Sequence, residues 1–408
     1  MDYRQTVILI GAGFLAINAY LLGVGQLYFM ACAIACIPVV SYAFCRASVG
    51  GLACKRTVHD RVYPGDTVQV TLEVENRSRW PRLGVRLRDD LPDWLVPDRE
   101  PESYFPVIWP GRTVQTGYTA VARRRGAHSF AGVQATVSDP PGLSERTFTV
   151  AAPGEVIVYP LPLDVAALTL GGEVSYAEAG RSRGGLGMGG DFYAIREYVP
   201  GDALRRIHWR STARRGSLAV IEYERTQAAD LLVLLDLLEG SEVGEGDATT
   251  LETGVRAAAS LLDFCRRGRG RGVLVCEDGR GLHQVAVGSE QDYLTALEVL
   301  ARARADGKRH LSDLLTGIEA GLLAHYTPVL ITSVPDPELG TALLAGRRGH
   351  LPAAALLIDP AGHQPAEGSE GLFASFAREL AHAGAAVEVV RDPQDLGRAL
   401  EALGEARP

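Results

Sequence analysis

Residues 5–45 read QTVILIGAGFLAINAYLLGVGQLYFMACAIACIPVVSYAFC, a stretch without one charged side chain. Two apolar runs lie inside it, Thr6–Gly23 and Leu27–Cys45, parted by Val24-Gly25-Gln26. Each run makes about 28 Å of helix at roughly 1.5 Å per residue, enough to cross the hydrocarbon core of a bilayer. The short glycine-containing break predicts an antiparallel transmembrane hairpin over residues 1–46. A cleavable signal peptide starts in the same way, with Arg4 ahead of an apolar run and an A-x-A-like Ala31-Cys32-Ala33. The apolar stretch is far too long for that, and a second span follows at once. Asn18 and Gln26, the amides inside it, are expected to bond between helices or to sit at the interface.

The flanks set an expected orientation. Arg4 precedes the first run, Arg46, Lys55 and Arg56 follow the second, and the connecting turn is uncharged. By the positive-inside rule both termini and all soluble domains are expected on the cytoplasmic side of the cytoplasmic (inner) membrane.

The chain has 408 residues, 47% of them apolar and 22% charged, and a net charge of −8, which excludes a disordered chain. Residues 1–229 hold 25 basic and 22 acidic side chains, against 16 and 27 in residues 230–408. That asymmetry suggests two bodies with different surfaces and is poor evidence for a nucleic-acid binder. Lys55 and Lys308 are the two lysines, and neither precedes Ser or Thr, which excludes a Walker A loop. The six cysteines (32, 36, 45, 54, 265 and 276) form no C-x-x-C pair, so a zinc site or disulfide framework is not expected.

Residues 55–160 read as short strands. Val68, Val70, Leu72 and Val74 alternate with polar residues in Thr67–Glu75, and a second alternating run covers Arg112–Val121. Turn clusters at Pro64-Gly65-Asp66, Pro110-Gly111, Ser138–Gly142 and Ala152–Gly154 fit an immunoglobulin-like antiparallel sandwich.

Residues 161–229 form a glycine-rich loop and a basic segment. Gly185, Gly187 and Gly190 match G-x-G-x-x-G formally, but no apolar strand precedes them and Pro200 follows, so a dinucleotide site is not expected. Asp202 is placed to cap a helix from about Ala203 to Arg215, with Gly216 ending it. Arg206, Arg210 and Arg214 recur every four residues on that helix as one basic stripe. The stripe can be neutralised by acids of the C-terminal part, or can dock an acidic partner, anionic lipid or RNA. His208 and Trp209 are expected to pack, since a lone His with no partner is a poor general base.

The string Asp191-Phe192-Tyr193-x-x-Arg196-Glu197-Tyr198-x-Pro200-Gly201-Asp202-x-x-Arg205-Arg206-Ile207-His208-Trp209-x-x-x-Ala213-Arg214 resembles the signature of the bacterial "domain of unknown function 58" family. The resemblance extends to the layout of hairpin, sandwich, signature and a von Willebrand factor A-like domain. It implies membrane anchoring and association with MoxR-type AAA+ ATPases, and it supplies no reaction. Arg196, Glu197, Tyr198, Gly201, Asp202, Arg206, His208, Trp209, Arg210 and Arg214 are the partner-binding candidates it marks.

Residues 230–408 alternate strands and helices, beginning with Leu231–Leu235 and Asp236, as in a doubly wound, mainly parallel sheet. In von Willebrand A domains the crevice at the strand ends holds a divalent metal through D-x-S-x-S. Here Asp236-Leu237-Leu238-Glu239-Gly240 keeps the Asp and replaces both hydroxyl positions. The expected threonine falls near His310, and the later acid appears as Ser333, with Asp336 three residues on. One clear carboxylate does not make a hard-cation site. Asp236, Glu239, Ser241 and Asp336 are the weak metal candidates, and no cofactor is expected beyond Mg2+ held by them.

The reading is therefore a membrane-anchored, non-enzymatic adaptor recruiting a protein partner, plausibly a MoxR-type ATPase, with no nucleic acid expected. A metal-dependent binding or hydrolytic protein using Asp236 is the alternative, and anionic lipid or RNA binding through Arg206, Arg210 and Arg214 is the third. The hairpin predicts that the intact chain stays with membranes through an alkaline carbonate wash. Recovery in the soluble fraction contradicts it.

Overall fold

A computed structural model describes residues 3–58, 61–170, 173–176, 192–197, 209–223, 230–246, 248–346, 353–363 and 369–403. The chain divides into two compact units, Met1–Tyr159 and Pro160–Pro408.

The first unit opens with two helices, α1 (Tyr3–Leu22) and α2 (Gly25–Ala47), packed on each other. Gly23 closes the connection at φ +67°, a left-handed conformation that favours glycine. Most of their side chains, including Phe14, Ile17, Tyr20, Phe29 and Val39, are exposed. A soluble protein would have to leave that apolar surface in water. Both helices are long and apolar enough to span a membrane.

Nine strands follow: β1 (Leu52–Val58), β2 (Arg61–Val62), β3 (Thr67–Asn76), β4 (Arg82–Asp89), β5 (Leu95–Pro97), β6 (Glu102–Ile108), β7 (Thr113–Ala122), β8 (Gly126–Ser138) and β9 (Glu145–Val158). They form two sheets, β1-β3-β7-β5 and β2-β9-β8-β4-β6. The alternation in β3 buries Val68, Val70, Leu72 and Val74 against Val85, Leu87, Val133, Ala135 and Val156 of the other sheet. The result is a β-sandwich.

A buried ion pair crosses its core. Arg56 on β1 meets Asp89 at the end of β4, both side chains fully buried. The Tyr118 hydroxyl donates to the other Asp89 oxygen at 2.6 Å, and the Arg56 guanidinium also donates to the Ala152 carbonyl and lies 4.3 Å from the centre of the Phe130 ring. Burial, followed by the Asp89 carboxylate, pushes the Tyr118 phenol well up, so it remains a donor.

The helix pair is fastened to one end of this sandwich. The turn from Asp139 to Ser144 receives Ser41 Oγ on Asp139 Oδ2 (2.6 Å), Cys45 Sγ on the Ser144 carbonyl (3.1 Å) and Arg4 on the Gly142 carbonyl (2.9 Å). Arg82 donates to the Gly50 carbonyl at 2.9 Å beyond the end of α2.

The second unit carries two antiparallel pairs, β10 (Ala167–Leu170) with β11 (Glu173–Tyr176), and β12 (Phe192–Glu197) with β13 (Ala219–Tyr223). None of these four strands was visible as an apolar alternation. Between β12 and β13 lies α3 (Trp209–Arg215). The expected helix from Ala203 is described only from Trp209 onward. Gly216 ends it at φ +72°, its amide bonded to the Thr212 carbonyl at 2.9 Å.

The rest is an α/β body. Its strands are β14 (Leu231–Leu235), β15 (Gly272–Asp278), β16 (Gly281–Val287), β17 (Thr327–Thr332), β18 (Ala353–Ile358) and β19 (Ala385–Val390), in the order β16-β15-β14-β17-β18-β19. All neighbours are parallel except β15 and β16, which form a hairpin. Every residue of β14 and of β18 is buried, as in a sheet covered on both faces. The helices are α4 (Thr250–Arg267), α5 (Glu290–Arg302), α6 (Leu311–Thr316), α7 (Ala320–His325), α8 (Leu339–Gly346), α9 (Ser369–His382) and α10 (Leu396–Ala402). Two short helices, α6 and α7, stand in Leu311–His325 in place of one long one, because Gly317 ends α6. Gly254 on α4 lets that helix close on the sheet: a Cβ there would lie 3.1 Å from Leu235 Cδ1 and 3.3 Å from Ile358 Cδ1.

Removing one partner of a buried ion pair strands the other charge. Asp89→Ala is expected to destabilise the sandwich by about 3–5 kcal/mol. A denaturant titration of the full chain in detergent, followed by near-ultraviolet circular dichroism, measures this.

Candidate functional site

The carboxyl ends of β14 and β17 meet at Asp236, which follows the last residue of β14 and is only 9% exposed. Its amide is tied to the Ile331 carbonyl at 2.9 Å, which holds the residue in line with β17. One carboxylate oxygen accepts the Leu238 amide at 3.0 Å and the other accepts the Thr332 hydroxyl at 2.7 Å. Burial pushes the Asp236 carboxyl up against the pull of these two donors; the nearby Asp336 charge pushes the same way and His310 opposes it.

Asp336 is also buried, and it caps α6: one oxygen accepts the Ser312 amide at 3.0 Å, the other the Glu338 amide at 3.0 Å. Ser241 is buried and offers its carbonyl, not its hydroxyl, to Ser333 Oγ (3.0 Å) and Thr250 Oγ1 (2.8 Å). Glu239 is exposed, its amide held by the Gly307 carbonyl at 2.8 Å. The crevice thus brings Asp236, Asp336, Ser241 and His310 into one neighbourhood and leaves Glu239 facing solvent.

A divalent cation needs several oxygens converging at about 2.0–2.6 Å. Here both oxygens of each buried carboxylate already accept protein hydrogen bonds. Among the described residues, no group of three or more His, Cys, Asp or Glu side chains could hold a metal ion. The residues present do not fit the cation that the Asp236 motif would imply.

Reading the sequence missed Thr332, placing the polar end of β17 at Ser333 instead. The signal was a hydroxyl closing an apolar strand opposite Asp236. It also missed Thr253, whose hydroxyl lies 3.0 Å from His363 Nε2, and a carboxylate turn on the β15–β16 hairpin. There Arg280 and His283 both donate to Asp278, His283 Nε2 at 3.0 Å. Burial raises the Asp278 carboxyl, but these donors outweigh it and carry it below the usual carboxylate range. Cys276 pairs with His283 across the hairpin, but burial pushes its thiol up to about 12. A thiol held protonated is not a nucleophile at neutral pH.

Of the signature residues, Arg196 and Glu197 lie on β12, opposite Val220 and Ala219 of β13. Trp209 and Arg210 lie on α3, and Arg214 is exposed near its end. Tyr198, Gly201, Asp202, Arg206 and His208, and the glycines at 185, 187 and 190, lie outside the described residues.

These features define a class: an apolar helix pair and a β-sandwich ahead of an α/β body with a mainly parallel sheet. Residues 194–325 match the family model described as "Protein of unknown function DUF58", in agreement with the string from Asp191 to Arg214. A Bacillus subtilis (strain 168) protein described as "Uncharacterized protein YeaD" is 22% identical over 255 residues, 62% of this chain. The alignment spans 62% of that relative's length. Among solved structures, a CARDB domain from Pyrococcus furiosus described as in complex with di-metal ions is similar at 14% identity, 26% of this chain, 86% of that one and a TM-score of 0.19. A cohesin module of a Clostridium perfringens family 33 glycoside hydrolase is similar at 12% identity, 26% and 96% coverage and the same TM-score of 0.19. Likenesses this low carry no argument about this chain.

Asp236 gives a pH signature of known sign. Its folded carboxyl keeps its proton to higher pH than the unfolded chain does. The stability it contributes is therefore full below the ordinary carboxylate range and is lost as pH rises through the folded value. Asp236→Asn, which keeps an acceptor for Thr332, is expected to lose less stability than the unsubstituted chain as pH rises above the ordinary carboxylate range. Paired denaturant titrations measure the difference, and equal slopes contradict it.

Proposed function

We propose that this chain is a non-enzymatic adaptor, tethered to the cytoplasmic membrane by α1 and α2 with its sandwich and α/β body in the cytoplasm. The arginines at 4 and 46 support that orientation, since positive flanks stay inside. The α/β body is read as von Willebrand factor A-like. Support comes from the strand order, with one antiparallel edge strand, and from an aspartate at the end of the central strand β14.

The observation that carries the adaptor reading is the internal saturation of the crevice. Asp236 and Asp336 direct their oxygens to Thr332, Leu238, Ser312 and Glu338, so they shape the strand ends into a fixed surface. A rigid, preformed surface of this kind suits recognition of a folded partner, which then loses little freedom in the receiving chain. The partner class follows from the family resemblance: a MoxR-type AAA+ ATPase. Tethering confines the encounter to a layer beside the membrane, so a modest affinity suffices through raised effective concentration.

The test is co-purification of the full chain, in nanodiscs, with a MoxR-type AAA+ ATPase of the same organism, with and without ATP. Retention that weakens in charge-reversed Arg214→Glu supports the reading. No retention in either nucleotide state removes the partner, and turnover of a substrate by the chain alone removes the adaptor.

A further inference from the structure

The sandwich has two rims, and the strand registers decide which loops share each. Leu52 pairs with Asn76, Glu75 with Thr113, Arg82 with Ile108 and Ser138 with Glu145. The start of β1 and the loops 76–82, 108–113 and 138–145 therefore lie at one rim. It is also the rim that holds the helix pair, through Arg82 on the Gly50 carbonyl, the Arg77 amide on the Gly51 carbonyl (2.8 Å) and Arg4 on the Gly142 carbonyl.

Two Trp-Pro tips project there. Trp80 is 75% exposed and Trp109 60% exposed, although exposing an indole to water forfeits its burial. After α2, among the described residues, the exposed large apolar side chains of the first unit are Val49, Trp80, Tyr104 and Trp109, and all but Tyr104 belong to this rim. The tips are braced. Asn76, itself fully buried, donates from one amide nitrogen to the Trp80 carbonyl (2.9 Å) and the Ile108 carbonyl (2.8 Å). Gly111 closes the second tip at φ +68°, with the Arg112 amide on the Trp109 carbonyl at 3.1 Å.

Charge distinguishes the rims further. Loops 76–82 and 109–112 contain Arg77, Arg79, Arg82 and Arg112; Arg77 Nε pairs with Glu75 at 2.7 Å, and the turn at 138–145 adds Glu145 and Asp139, whose carboxylate is taken by Ser41 and the Ser144 amide. The opposite rim carries Asp66, Asp90, Asp93, Asp98 and Glu100 beside Arg99 and Arg123–Arg125, and its tryptophan, Trp94, is buried in the core. Exposed indoles flanked by arginines, at the level where apolar helices end, match the headgroup layer of a bilayer. Trp is enriched at that depth, and arginines are drawn to anionic lipid there.

We infer that this rim is a lipid-contacting foot: Trp80 and Trp109 enter the headgroup layer beside the helix pair, and Arg77, Arg79 and Arg112 face the phosphates of anionic phospholipids. The inference rests on α1 and α2 lying in a bilayer. Its occupant is the same membrane, continuous with the helices that the rim holds.

The test uses the full chain reconstituted into phosphatidylcholine vesicles with and without phosphatidylglycerol, with phospholipid brominated near the glycerol as quencher. Tryptophan emission should be quenched, and in Trp80→Phe/Trp109→Phe the quenching should fall by at least about twofold, as expected for interfacial indoles. Arg77→Glu/Arg79→Glu/Arg112→Glu should abolish the added quenching that phosphatidylglycerol brings. Absence of quenching in the unsubstituted chain, or equal quenching in the double variant, overturns the foot while flotation with the vesicles still reports the helices in lipid. Failure to float overturns the membrane reading of α1 and α2, and the foot with it.

Discussion

The attachment of two apolar helices to one turn of the sandwich governs the rest of this architecture. Asp139 and the carbonyls of Gly142 and Ser144 accept from Ser41, Arg4 and Cys45, so both helices end on the same six-residue turn. Had α2 simply run into β1 through a free linker, the sandwich could tumble beneath the membrane. These bonds, with Arg82 on the backbone beyond α2, give it one orientation relative to the helix pair. Orientation is what turns the loop chemistry of one rim into a surface with a definite neighbour.

In the second unit the acids of a polar crevice are taken up by the protein's own amides and hydroxyls. Asp236 ends its strand where a ligand-binding acid would stand, but Leu237 and Leu238 follow it and Thr332 donates to it. The carboxyl is then better described as an acceptor holding β14 to the end of β17 than as a group awaiting a cation. The same applies to Asp336, whose oxygens cap the amides of Ser312 and Glu338.

How much of this the sequence disclosed depends on the range of the interactions involved. The helix pair, β3, β7 and the fully apolar β14 and β18 were legible because burial there is periodic or continuous along the chain. The strand ends of the signature segment were not, since β12 pairs with β13 across more than twenty intervening residues and neither alternates. Asp236 was legible as an acid after a strand, and His310 as a neighbour. Thr332 was not assigned, since a one-residue shift at a strand end reverses which side chain faces the crevice. The role of Asp278 depended on a hairpin register that places His283 beside it. The exposure of Trp80 and Trp109 was not legible, because an exposed indole differs from a buried one only once the strands around it are paired.

The connection between α1 and α2 is only Gly23 and Val24. With both helices across a bilayer, that pair of residues is all that this hairpin presents on the side away from the sandwich. There is no extramembrane head in this hairpin to bind a soluble stimulus. Information reaching the body through these helices must come from the lipid itself, as tension, thickness or composition, or from another spanning chain alongside them.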